Sequence, residues 1–122
     1  MATAQAQTTI TNPTRISVDL DAVHGIQEGQ PGYIINYLIK LFPPTATDAS
    51  GIPLKVIPTG RGTVAGNAVD FPSHLDVVDT GLYKVCMSRL NSIGESPCSF
   101  APQLYLRLKE PTPPTGTRLG NE

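Results

Sequence analysis

The chain has 122 residues, 39% of them hydrophobic, no tryptophan and a net charge of −1. That length sets one domain with a modest, mainly aliphatic core. Its nine basic residues are scattered, which argues against a partner that presents a row of phosphates, and no apolar run approaches the roughly 20 residues of a membrane-spanning helix.

In chain order, residues 1–13 are polar and read as an N-terminal arm, in which Thr8–Thr11 can add a short edge strand. Ile16, Val18 and Leu20 alternate with Ser17, Asp19 and Asp21, the period-2 pattern of a strand with one wet face. Residues 24–32 are a loop. Tyr33 to Phe42 is a long apolar strand with Tyr33, Ile35, Tyr37, Ile39 and Leu41 on the core face. Its opposite face carries Ile34, Leu38 and Phe42, an apolar stripe that reads either as a protein contact or as a surface covered by a loop or the arm.

Pro43-Pro44 ends this strand, because proline cannot donate to a ladder. Ile52 to Pro58 has proline near both ends and suits a sheet edge, and residues 59–67 read as a flexible hairpin loop. Ala68 to Val78 holds one or two further strands, with Leu75 and Val77 facing in. Tyr83 to Ser88 alternates cleanly, with Tyr83, Val85 and Met87 on one face and Lys84, Cys86 and Ser88 on the other. Phe100 to Leu108 is the last strand, and the Pro-rich residues 109–122 read as an extended tail. The domain proper is then 14–108, with about seven strands at turn spacings typical of a sandwich.

The stretch Val77 to Ser99 carries a family resemblance. Asp79-Thr80-Gly81-Leu82-Tyr83-Lys84-Val85 resembles the Asp-x-Gly-x-Tyr-x-Cys signature of immunoglobulin domains, with Val85 at the cysteine position. Asn91-x-x-Gly94-x-Ser96 is similar to the turn into the last strand of fibronectin type III domains, where Val77 takes the place of the apolar residue six before the tyrosine. The chain has Leu20 near where those domains carry a tryptophan. The resemblance implies a seven-stranded, antiparallel, immunoglobulin-like sandwich. It also implies structural roles for Tyr83, Val77, Asn91 and Gly94, with the Tyr83 hydroxyl bonded to upstream backbone. It brings no catalytic residues.

Candidate chemistry is sparse. His24 and His74 read as solvated loop residues with no ligand at metal spacing. Asp19 and Asp21 share a strand face but point to water, and Asp76 and Asp79 read as turn caps. Gly60 to Gly66 lacks the lysine and following helix of a phosphate loop, and Ser88, Ser92 and Ser96 have no histidine partner. Cys86 and Cys98 are expected as free thiols, misaligned across the turn and made in a reducing compartment. No enzyme, cofactor or metal is expected.

The N-terminal sequence has no basic segment and no apolar core of a secretory signal, so the expectation is synthesis in a host cytoplasm. Signal-less immunoglobulin-like domains resemble those on bacteriophage virions. The resemblance implies a virion protein of capsid decoration, tail or fibre, joined through its arms to capsid or tail subunits, with host surface glycan as a further partner. The alternatives are a cytoplasmic protein and a carbohydrate- or ligand-binding module, for which Tyr105 offers the one clear aromatic platform.

Overall fold

The computed structural model describes residues 8–74, 77–111 and 113–121. They build eight strands: β1 (Thr9–Thr11), β2 (Arg15–Asp19), β3 (Asn36–Phe42), β4 (Lys55–Gly60), β5 (Thr63–Ala65), β6 (Ala68–Pro72), β7 (Gly81–Leu90) and β8 (Leu104–Arg107). A five-stranded sheet has the order β1-β8-β7-β3-β4, and a three-stranded sheet the order β2-β6-β5. The chain is all-β, in two layers.

The core lies between the layers. Ile39, Leu41, Ile57, Val85 and Tyr105 of the larger sheet gather with Val78 and meet Ile16 of β2. Tyr37 meets Val69 and Phe71 of β6 beside Ile34, Val18 and Met87. Phe71 and Tyr37 stack at a tilt of 50° with ring centres 4.8 Å apart. Each fully buried side chain of this size contributes about 1.5–3 kcal/mol by leaving water.

The chain changes sheets four times, twice through short corners. Residues 12–14 carry β1 into β2, and Gly60-Arg61-Gly62 carries β4 into β5. Gly60 and Gly62 take φ of 74° and 69°, and a Cβ on Gly62 would lie 2.5 Å from Phe71 Cε1. Glycine is required at Gly62 both by conformation and by space. Residues 59–67 are therefore a sheet corner followed by the β5–β6 hairpin, not a flexible loop.

Several sequence expectations shift. An eighth strand exists, and β1 runs parallel to β8, pairing Thr9 with Leu104 and Thr11 with Leu106. A parallel pair needs a long crossover, and here the whole domain supplies it. Residues 9–13 thus belong to the folded body rather than to an arm. The third strand begins at Asn36, because alternation breaks before it: Ile35 is 55% exposed while Ile34 is buried. Val77 is exposed and its neighbour Val78 is buried, since Val77 closes a tight turn onto the His74 carbonyl at 3.1 Å and the next residue is the one aimed inward. Leu75 and Asp76 lie outside the described residues. Leu20 follows β2 and is largely exposed, so it does not fill a core tryptophan site.

Cys86 and Cys98 are joined, with Cα atoms 5.8 Å apart. The hairpin ladder after β7 stops once Ser96 has donated to the Arg89 carbonyl. Pro97 then has no N–H to continue it, so strand alternation no longer dictates where Cys98 points. That freedom is what a strict hairpin register misses.

Candidate functional site: the β1–β8 edge, a polar hub and a covered sheet face

The β1–β8 edge joins the two ends of the chain. Leu104 donates to the Thr8 carbonyl at 2.8 Å, and Asn12 donates to that of Leu106 at 2.7 Å. The Asn12 amide side chain then clamps Leu108, accepting from its N–H at 2.8 Å and donating to its carbonyl at 3.1 Å. Asn12 holds φ of 48°, a left-handed conformation that asparagine tolerates better than most residues. Because the strands are parallel, Thr8 and Leu108 lie at opposite ends of this edge.

A polar hub sits at one end of the layers. Arg89 of β7 donates to both carboxylate oxygens of Asp21, at 3.0 and 2.8 Å. Asp21 also accepts the backbone N–H of His24 at 2.9 Å. These bonds, Arg89 foremost, hold the Asp21 carboxyl below the usual range and raise the Arg89 guanidinium above its own. His24 is buried, with Nδ1 2.9 Å from the Tyr37 hydroxyl and its carbonyl accepting from Arg61 at 2.8 Å. Arg61 in turn lies over the Tyr33 ring at 4.6 Å. Burial pushes the His24 imidazole down. His24 is therefore a structural histidine, not a solvated one, and Asp21 is bound rather than free. The periodicity of residues 15–42 gave no sign of this, since the partners come from four separate segments.

The outer face of the five-stranded sheet carries Leu38, Lys40 and Phe42 of β3, in register with Ser88, Cys86 and Lys84 of β7. Leu38 and Phe42 are 8% and 2% exposed, and Ile34 packs inward with Tyr37. The stripe Ile34, Leu38 and Phe42 is thus buried by the chain itself and is no free contact surface. On the outer face, side chains of the segment from Glu95 to Phe100 reach Phe42, Lys40, Ser88 and Cys86. Glu95 accepts from Lys40 and, at 2.8 Å, from Ser88. Phe100 meets Phe42 edge-on at 5.2 Å.

The corner residues sit as follows. The Tyr83 hydroxyl donates to the Asp79 carbonyl at 3.0 Å, and the ring is half-buried against Tyr105. Asn91 Oδ1 accepts from the N–H groups of Ile93 and Gly94 at 2.8 and 3.2 Å, closing the turn. Tyr105 is 2% exposed and belongs to the core, so it offers no platform to a sugar ring. Among the described residues no three His, Cys, Asp or Glu side chains gather as a metal group, and no helix is long and apolar enough to cross a membrane.

Comparison with protein-family models, curated proteins and solved structures finds no match to this chain.

Proposed function

We propose that this chain is a non-enzymatic structural and binding protein, a virion component of the bacteriophage kind, that joins capsid or tail subunits through its two terminal segments. The observation that carries the reading is the parallel β1–β8 pair. It sets Thr8 and Leu108 at opposite ends of one sheet edge, a geometry suited to bridging two neighbours. Polar terminal segments cannot offset the ordering cost of roughly 1–2 kcal/mol per residue alone, so contact with a neighbour is what would order them. Backbone pairing to a neighbour's strand edge is a general route to such contact.

An immunoglobulin-like sandwich is the finer fold reading. Three features support it: the sheet orders β1-β8-β7-β3-β4 and β2-β6-β5, the Tyr83 hydroxyl on the Asp79 carbonyl, and the Asn91 turn. Folds of this kind host many roles, so the functional reading rests on the edge geometry rather than on the fold. The ligand-binding alternative loses its aromatic platform with the burial of Tyr105.

The test compares the intact chain with residues 8–109, which keep β1 and the Asn12 clamp. Both are expressed in host cells that produce the particles, and purified particles are analysed by quantitative mass spectrometry. The intact chain should be present at a fixed copy number and the trimmed chain depleted. Equal incorporation of the two would remove the terminal segments from the reading. Absence of both would remove the virion itself.

A further inference from the structure

Between Ser96 and β8 the chain has no ladder of its own, yet it shields an apolar sheet face. The backbone N–H groups of Ser96 and Ala101 bond to the Arg89 and Val85 carbonyls at either end of it, and three side-chain fastenings act between them. Glu95 is bonded to Lys40 and Ser88. Phe100 rests on Phe42 and lies under the Lys84 ammonium, 5.3 Å from the ring centre. Cys98 is bonded to Cys86. A single partly exposed ion pair contributes little net stability, and one aromatic edge contact about 0.5–1.5 kcal/mol. Of the three, the covalent fastening is the strongest.

The face beneath is continuous with surface that is already open. Val56 of β4 lies opposite Lys40 on the same side of the sheet and is 42% exposed. Leu54 and Ile52, just before β4, are 61% and 93% exposed. With Phe42 uncovered, the open apolar surface would run from β4 onto β3.

We propose that residues 95–100 are a redox-released strap: joined to Cys86 through Cys98, it closes part of the outer face of the larger sheet, and reduction lets it lift and expose Phe42. The reductant is a dithiol. Its thiolate attacks Sγ of Cys98, the more accessible sulfur, since Cys86 is 3% exposed and Cys98 only partly covered. The Cys86–Cys98 bond breaks, a mixed disulfide forms on Cys98, and the Cys86 thiolate takes a proton from solvent. The second thiol of the reductant then displaces Cys98, which is protonated in turn. The dithiol leaves as a disulfide, having supplied two electrons to the two protein sulfurs. Nothing in this device depends on the terminal segments.

The experiment uses the full chain, oxidised or treated with dithiothreitol. Thiols are first counted in denaturant without reductant, and the oxidised chain should show none. Amide exchange is then followed at Ser96 and Ala101, which donate to the Arg89 and Val85 carbonyls. Binding of an anilinonaphthalene sulfonate dye reports exposed apolar surface. Reduction should speed exchange at these two amides about tenfold or more and raise dye fluorescence, while the amides of β2 and β6 stay protected. A Cys86→Ser/Cys98→Ser variant should match the reduced chain with or without dithiothreitol. Two free thiols in the untreated chain, unchanged exchange and dye binding on reduction, or loss of protection throughout both sheets would each overturn the proposal.

Discussion

Asn12 and Leu108 stand 96 positions apart and hold each other by two hydrogen bonds between one side-chain amide and one backbone unit. The side chain imitates a strand neighbour, accepting from the N–H and donating to the carbonyl as a ladder partner would. It extends the β1–β8 pairing past the end of β8. It also ties the sheet-changing corner at residues 12–14 to the last strand.

Asn12→Ala should therefore loosen this edge while leaving the two-layer core intact. Loss of the paired bonds is expected to cost about 1 kcal/mol, since they are exposed to water. Amide exchange at Leu106 and Leu108 should rise, and proteolysis should move inward to the region of Thr8–Thr11. Unchanged exchange at both amides would show that the clamp holds nothing.

Gly62→Ala should be far more damaging than its small size suggests. The new methyl meets the Phe71 ring at 2.5 Å and the Asp70 carbonyl at 2.8 Å, on backbone with φ of 69°. Overpacking and a strained dihedral together predict roughly 2–4 kcal/mol of destabilisation. Gly66→Ala has positive φ but open space around it, so it should cost only about 1 kcal/mol. Urea unfolding of the two variants distinguishes the contributions, and equal losses would count against the Phe71 contact.

Acid should destabilise the fold in two stages. Burial holds the His24 imidazole below its ordinary 6.5, so between that value and the lower folded one the unfolded chain binds more protons. Stability consequently falls as the pH drops from about 6.5. Asp21 and Glu95 are also held below their ordinary 3.8 and 4.5, chiefly by the Arg89 and Lys40 partners. Their contribution is present above those values and is lost as the pH falls through the folded ones. The measurement is the urea midpoint from pH 8 to pH 3. His24→Gln should flatten the upper stage alone, and a wild-type midpoint that is level between pH 7 and pH 5 would refute the role given to His24.

Tyr83→Phe removes the donor to the Asp79 carbonyl and leaves the ring on Tyr105. With the ring half-buried, the expected loss is about 0.5–1.5 kcal/mol, read from thermal or denaturant unfolding. A Tyr83→Phe protein as stable as the parent would show that water replaces the bond without cost.

Alternation made the strand content legible. Residues 15–19 keep their period-2 pattern in the structure, because a strand with one wet face must sort its side chains by parity, whereas 81–90 is covered on both faces and in 104–107 Tyr105 is the buried residue. Punctuation was legible too: Pro43 ends β3, and Pro58 sits on an edge strand where a missing donor is tolerated. The turn at Asn91 was legible because its side chain closes it locally, within three residues.

What the tertiary structure decided are the relations between residues far apart. His24 is one residue in a loop, bonded locally to Asp21, until Tyr37 and Arg61 converge on it from elsewhere in the chain. The stripe at Leu38 and Phe42 reads the same in sequence whether it is open or covered, and the folded chain buries both, with Phe100 against Phe42. Cys98 could reach Cys86 only because Pro97 breaks the ladder and frees the chain from strand parity. The sequence by itself determined the local alternation, the turns and the all-β character, since these follow from side-chain parity and backbone donors within a few residues. The folded chain alone decided burial, pairing order and the parallel first strand, because loop closure and packing bring together groups whose spacing along the chain carries no period.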